Sequence, residues 1–313
     1  MIWFPKWVVK LNLSIPHQSG IKISNERRYP KNPLESYPGS AYNTCMGYIF
    51  DFNDTNAYIA WCDKAKQVYD FKLQTALMMK MLSPLPGRNI LDIGCGGGRC
   101  FAPLMDHGLQ LTGVDPSPYM LDLAMDKFKN RVELHRAFGE DLPFEDNSFN
   151  YSIMMTSLEF MDRPAKAIEE ACRVTRDKIF IGVFNKYAPL NILRRAKGFF
   201  CHNTLSYARF FGIWELKKII HAIMGPVPVS WNTTLAFPFS RSRPVAYLEQ
   251  CAIIQRSPWG TMVGMSIIPI PRFRTRPLLL KIHSKSPCGP VTGFARGYRR
   301  NMDISEEDED TFI

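Results

Sequence analysis

Residues 89–100 read NILDIGCGGGRC. A short apolar run ends in Asp92 and is followed by Gly94, Cys95, Gly96, Gly97 and Gly98. A glycine knot directly after a buried strand lets a ligand approach the backbone, and three ligands compete for it. A triphosphate loop would close on Gly-Lys-Ser/Thr, and Arg99-Cys100 does not supply that ending. A dinucleotide fingerprint would place its last glycine at position 99, where helix and strand pack closest, and Arg99 stands there. What is left is a Gly-x-Gly-x-Gly turn preceded by an acid. The first turn of the following helix offers N–H groups and the positive end of its dipole to a carboxylate. Asp92, just before the turn, is placed to face an ammonium.

Working outward, LTGVDPS (111–117) brings Asp115 to the end of a second strand. It lies about twenty residues after the loop, where a ribose-binding acid belongs. Asp115 also reads as a helix N-cap, and one carboxylate can do both. Pro116, Ser117 and Met120 would wall an adenine. Strand patterns fall at 89–93, 110–114, 132–136, 151–155 and 179–184, with helical patterns at 99–107, 118–127 and 164–174 between them. Strands alternating with helices of about ten residues imply an α/β, Rossmann-like, doubly wound parallel sheet with its ligand beyond the carboxyl ends of the strands. Upstream, apolar residues recur at helical spacing from about Ala57 to Leu82, until SPLPG (83–87) ends the helix. Downstream, 214–224 reads as an amphipathic helix, and 227–239 and 261–268 as final strands.

The chain of 313 residues is 46% hydrophobic and carries a net charge of +10. Such a charge favours an anionic partner, whether nucleic acid or a membrane surface, and says nothing of fold. Residues 271–300 hold eight Lys or Arg and no acid, and the chain then turns acidic in SEEDED (305–310). Eight cysteines at irregular spacings, with no C-x-x-C pair, read as reduced thiols of a cytoplasmic protein with no metal site. The N-terminal residues lack the basic and continuous apolar regions of a signal peptide, and no run reaches the ~18 apolar residues of a membrane span. Three regions follow: a loop-rich arm over 1–54, a core domain over 55–270 with a lid at about 186–250, and a basic-then-acidic tail over 271–313.

Taken together, NILDIGCGGG, LTGVDPSPYMLDLA and FGEDLPFEDNSFNYSIMMTSLEFMDRPAKAIEEACRV resemble the class I S-adenosylmethionine-dependent methyltransferases, in the type 11 subgroup that includes the ubiquinone and menaquinone C-methyltransferases. The resemblance covers roughly residues 55–185. It implies a seven-stranded sheet with the last strand antiparallel, an N-terminal cover helix, a helical lid, and S-adenosyl-L-methionine as cofactor. It implies that Asp92, Gly94, Cys95, Gly96 and Gly98 hold the methionine part, and that Asp115 holds the ribose. YIAWCDKAKQVYDFKLQ (58–74) looks like the cover helix, with Trp61 and Tyr69 on it. Relatives often read G-D-A-E-D-L-P-F where this chain reads AFGEDLPF. Phe138 thus replaces the acid that commonly bonds the adenine amino group, leaving Phe138 to stack and the Gly139 backbone to bond, beside Glu140. Asn150 stands where Asp is usual and bears on strand geometry.

Methyl transfer needs alignment of donor and acceptor, with a base only where the acceptor must lose a proton. The acceptor is expected near Thr156, Ser157, Glu159, Phe160 and Asn185, with Glu159 as the candidate catalytic base and a helix-start charge as its plainer reading. No Asn/Asp-Pro-Pro-aromatic stretch follows the fourth strand, so the signature of nucleic-acid amino methylation is missing. His202, Tyr207 and His221 fall in the lid region and read as structural or surface residues. The basic, aromatic stretch APLNILRRAKGFFCHNTLSYARFF (188–211) suits a lipophilic acceptor or peripheral contact with an anionic membrane, and equally a solvated helix pair. The sequence therefore points to methyl transfer to a small-molecule acceptor. A catalytically inactive binding or regulatory protein and an RNA methyltransferase are the alternatives.

Overall fold

Seven strands form one sheet in the order β3-β2-β1-β4-β5-β7-β6 in a computed structural model, which describes residues 47–198, 208–235, 249 and 251–269. The chain divides into a unit of Met1–Arg272 and a second of Phe273–Ile313; the second lies outside the described residues, as does most of the N-terminal arm. Strands β1 (Asn89–Ile93), β2 (Gln110–Val114), β3 (Glu133–His135), β4 (Phe149–Met155) and β5 (Thr175–Phe184) pair in parallel. β7 (Met262–Ile267) runs antiparallel to both β5 and β6 (Val229–Thr234), as expected for the last strand. Order reverses between β1 and β4, so a crevice opens beyond their carboxyl ends, where the glycine turn lies.

The sheet is apolar on both faces because helices cover both. On one face α5 (Pro164–Val174) and α7 (Ile213–Met224) bury Ile168, Ala171, Leu216 and Ile220. On the other, α2 (Ala65–Leu82), α3 (Phe101–Asp106) and α4 (Pro118–Phe128) contribute Phe71, Met78, Leu82, Phe101 and Ala124. Pro118 and Pro164 each open a helix at its first turn, where a missing N–H costs nothing. α3 is shorter than its pattern predicts: it starts at Phe101, because Gly94–Cys100 are taken up by the turn.

Two further segments differ from the sequence reading. The helix expected over 57–82 is two helices. α1 (Phe52–Cys62) starts five residues earlier, on a capping box in which Asp51 Oδ1 accepts from the Asp54 N–H at 2.8 Å and Asp54 Oδ2 from the Asp51 N–H at 3.2 Å. It stops at Cys62, since Lys64 takes an extended conformation (φ −63°, ψ 131°) and α2 begins in a new direction. The lid expected over about 186–250 contains part of the framework: α7 is packed on α5, and β6 is the edge strand of the sheet. α6 (Pro189–Gly198) is the described helical portion beyond β5. Asn150 bears on strand geometry, as its position suggested. Its Nδ2 donates to Asp177 Oδ2 at 2.7 Å, its N–H to Asn89 Oδ1 at 2.8 Å, and the β4–β5 register shifts there.

Candidate cofactor and acceptor site

The β1–α3 turn is held by the neighbouring strand. Gly94 and Cys95 both donate N–H to the Val114 carbonyl, at 2.7 and 3.0 Å, and this docks the turn against the end of β2. Gly94 adopts φ +75°, and a Cβ there would collide with the Ser157 side chain, whose Oγ donates to the Ile93 carbonyl at 2.7 Å. Glycine at 94 is therefore required twice, by conformation and by space.

At the end of β2, Asp115 is buried, and each of its carboxylate oxygens accepts one backbone N–H. Oδ1 takes that of Ser117 and Oδ2 that of Gly96, both at 2.9 Å. Burial pushes its carboxyl up to about 6, against the pull of those two hydrogen bonds. Asp92, at the end of β1, is 3% exposed. Burial and the neighbouring Asp115 charge push it up to about 8, and among the described residues no donor hydrogen-bonds its carboxylate. Two buried acids without a cationic partner cost stability unless something positive arrives between them.

Both line a cavity of about 490 Å³, within the ~300–1,000 Å³ range of small-molecule sites. Of the residues singled out in the sequence, Asp92, Gly94, Cys95, Gly96, Asp115, Pro116, Met120, Phe138, Gly139, Glu140 and Thr156 meet there. Thr156 holds a left-handed backbone (φ 53°) at the end of β4, where its N–H donates to the Gly182 carbonyl at 2.8 Å. Gly139 packs so closely on Met161 that a Cβ would lie 2.7 Å from its Cε. Glu140 Oε1 accepts the N–H groups of Asp162 and Arg163 at the start of α5, at 3.1 and 3.3 Å.

Gly98, Ser117, Glu159, Asn185 and Tyr69 are not on the cavity wall. Gly98 gives room to the Phe101 and Phe128 rings, which a Cβ would meet at 2.6 and 2.9 Å. Ser117 caps α4 and donates its hydroxyl to the Phe50 carbonyl at 2.6 Å. Glu159 turns away from the cavity. It is 1% exposed, and its Oε1 accepts the Phe184 N–H at 2.7 Å at the end of β5. Burial pushes this carboxyl up to about 8, and Oε2 has no hydrogen-bond partner. Glu159, read from the sequence as the candidate base, thus lies behind the cavity wall, against the end of β5. Asn185 is likewise structural, donating to the Pro258 and Gly260 carbonyls. His221 caps the end of α7 through the Gly225 carbonyl, while His202 and Tyr207 lie outside the described residues.

The other wall was largely hidden in the sequence. Tyr48, Phe50, Tyr58 and Trp61, from the last arm residues and α1, cover the cavity, and Phe71 and Gln74 of α2 close its far end with Met155 and Phe184. Trp61 alone of these was signalled, by the cover-helix pattern. Arg99 lines the cavity too. Its Nη2 donates to the Gln67 carbonyl at 2.7 Å, and its guanidinium lies 4.1 Å from the Phe71 ring centroid and 5.6 Å from that of Trp61. No ion pair occupies it among the described residues. No group of His, Cys, Asp or Glu suited to a metal occurs among the described residues. Cys95 and Cys100 are buried, their thiols pushed well up by burial, so they are not thiolate nucleophiles.

The cavity thus combines two carboxylates for positive charge, a guanidinium for a carboxylate, and an aromatic and thioether wall at Phe138, Met120 and Met161 for a flat base. That donor set fits S-adenosylmethionine, which carries an ammonium, a sulfonium, a carboxylate and an adenine. Residues 91–180 match the family model described as Methyltransferase domain. An uncharacterised protein of Methanocaldococcus jannaschii is 34% identical over 131 residues, which is 41% of this chain and 58% of that protein. An O-methyltransferase of Aspergillus sclerotiorum is 34% identical over 154 residues, 46% of this chain and 58% of that enzyme. The chain therefore spans somewhat more than half the length of these relatives. The crystal structure of a SAM-dependent methyltransferase from Thermotoga maritima, described as a possible histamine N-methyltransferase, superposes with a TM-score of 0.55 at 22% identity, over 70% of this chain and 97% of that one. The fold is the Rossmann-like methyltransferase fold, and the domain match and the cavity support S-adenosylmethionine as its cofactor.

Proposed function

We propose, from a chain whose residues 91–180 carry a methyltransferase domain, that the protein transfers the methyl group of S-adenosylmethionine to a small, apolar or aromatic acceptor. The observation that carries this reading is the pair Asp92 and Asp115, buried and uncompensated on one cavity across the glycine turn. Asp115 is held by two backbone N–H groups in the position that accepts ribose hydroxyls. Asp92 takes the ammonium, and Arg99, stacked between Phe71 and Trp61, takes the amino-acid carboxylate. Phe138 and Met120 grip the base. When bound, the cofactor supplies an activated methyl on sulfur.

This chain's contribution is alignment and exclusion of water. Tyr58, Trp61, Phe71, Met155 and Phe184 form a largely apolar wall that orders a flat acceptor. Glu159 contributes by position: it fixes the end of β5, and with it Phe184, through one hydrogen bond. The decisive experiment is calorimetry with S-adenosylhomocysteine. Wild type is expected to bind. Asp115→Ala, which removes charge-assisted hydrogen bonds worth about 1.5–3 kcal/mol, is expected to bind at least ~10-fold more weakly. Folded wild type giving no heat at millimolar ligand would sink the reading.

A second reading rests on Phe138, which lines the cavity where relatives often carry an acid, while Glu140 is engaged at the start of α5. In that reading the protein binds the cofactor as a non-catalytic partner. Cofactor retained, with labelled methyl reaching no fraction of a cell extract, would favour it over the first.

A further inference from the structure

Beyond the end of β5 the chain exposes large apolar side chains that the cavity does not use. Tyr187, Ile192, Leu193, Trp214 and Trp259 are 48–67% exposed. They come from three separate stretches, and hydrogen bonds through Asn185 and Asn191 tie these stretches into one rim. Asn185 Nδ2 donates to the Pro258 and Gly260 carbonyls on either side of Trp259, at 2.6 and 2.8 Å. Asn191, one residue before Ile192, donates its Nδ2 to the Asn185 and Thr261 carbonyls, at 2.9 and 2.7 Å. Asn185 also bridges to Phe211, and the Tyr187 ring lies on Gly212, two residues before Trp214. Both asparagines are fully buried, so this frame is rigid, and what it presents outward is apolar. The rim sits at the end of the sheet where β5 stops and β7 starts, one residue beyond the cavity residue Phe184.

Among the described residues beside it cations outnumber acids, with Lys186, Arg209 and Lys217 against Glu215. Residues 186–212 contain five Lys or Arg and no acid. The acid that follows, Glu215, is engaged by Arg209 at 2.8 Å, and Lys217 lies 5.1 Å from the Trp214 ring centroid. Exposed tryptophan and tyrosine beside aliphatic side chains suit the boundary between lipid headgroups and acyl chains, where an amphipathic ring keeps one edge wet. Cations around such a patch add attraction to anionic headgroups. A rim that met a second protein copy would have to bring its unbalanced positive charges together, which disfavours self-association. We propose that this rim docks the protein on an anionic lipid surface, with Trp259, Ile192 and Leu193 entering the headgroup boundary and the mouth of the cavity turned toward it.

The proposal stands apart from methyl transfer and is tested without cofactor. The full chain is mixed with vesicles of phosphatidylcholine alone or of phosphatidylcholine and phosphatidylglycerol at 7:3, and the bound fraction is read by flotation. The expected result is binding to the anionic vesicles at least ~10-fold above the neutral ones, weakened by 0.5 M salt. The variant Trp259→Ser/Leu193→Ser should lose most of it. The basic stretch 271–300 remains in every protein compared, so a loss in the variant reports the rim. Should that variant fail to fold, as judged by circular dichroism, Trp214→Ser and quenching of wild-type tryptophan fluorescence by doxyl-labelled lipid give the same comparison. No binding, equal binding by wild type and folded variants, or a solution dimer that the variants dissociate would each overturn the proposal.

Discussion

Asp92 shows most directly how function is purchased at the level of one side chain. A carboxyl raised by burial to about 8, against an ordinary value of 3.8, binds a proton in the folded state that the unfolded chain has released. Stability falls with pH wherever the native state holds more protons than the unfolded one. The ligand-free protein is therefore expected to lose stability progressively from about pH 4 to pH 8, and Asp92→Asn should remove the Asp92 share of that loss, leaving those of Glu159 and Asp115, and melt higher at pH 8. The same variant should bind S-adenosylhomocysteine at least ~10-fold more weakly, since an amide cannot pair with an ammonium as a carboxylate does. Ligand titrations at pH 7 in two buffers of different ionisation heat should show proton release, because an incoming cation forces Asp92 to ionise. Glu159 separates differently. Glu159→Gln retains an acceptor for the Phe184 N–H and should stay close to wild type in stability, while Glu159→Ala leaves that N–H buried and alone, at a cost of about 1–3 kcal/mol in denaturant melts. Asp92 and Asp115 were legible in the sequence because both lie in one βα unit, where strand ends and spacing fix their direction. Glu159 was not, because its direction is set by the short 3-10 turn Leu158–Phe160 and by a bond to a strand twenty-five residues away. Arg99 entered the sequence reading only as the residue that was not glycine, and its stacking on α2 is a tertiary fact.

Among the elements, the strap Gly47–Phe50 and α1 carry the cover of the cavity. Among the bonds that hold the strap are the Tyr48 N–H to the Phe160 carbonyl at 2.9 Å, the Tyr48 hydroxyl to Asp54 Oδ2 at 2.6 Å, and the Ser117 hydroxyl to the Phe50 carbonyl at 2.6 Å. Ser117→Ala removes the bond to Phe50 together with the cap of α4. It should lower stability by about 1 kcal/mol and speed release of S-adenosylhomocysteine several-fold in stopped-flow displacement. Ser117→Thr, which keeps a hydroxyl, should recover both. The elements of the central sheet were readable because each is a short apolar run bounded by Gly, Pro or a cap. The break after Cys62 was not, because neither proline nor glycine marks it; the chain turns so that α2 packs on β5 and β7 while α1 reaches over the cavity. Within the span 186–250 read as a lid, α7 has a buried stripe at Ile213, Leu216 and Ile220, and β6 has a strand partner in β7.

For the molecule as a whole, cofactor binding and folding are linked through the same residues. A ligand held at 100 times its dissociation constant stabilises by about 2.7 kcal/mol. For a domain of this size the melting temperature should then rise by roughly 5–10 °C, read by differential scanning fluorimetry with S-adenosylhomocysteine and absent in Asp115→Ala. Among the described residues no helix is long and apolar enough to cross a membrane.

The reversed strand has a consequence for synthesis. β7 sits between β5 and β6, and both depend on it for pairing. As the chain leaves the ribosome, the five parallel strands and their glycine turn emerge first, and the whole edge of β5 waits without a partner until Met262–Ile267 follow. During that interval the apolar half of β5, Ile179–Phe184, presents open N–H and C=O groups, the template on which chains aggregate. A transcript stopping before codon 262 would thus yield a protein with every predicted cofactor residue present and no protected edge, recovered in the insoluble fraction or held by a chaperone.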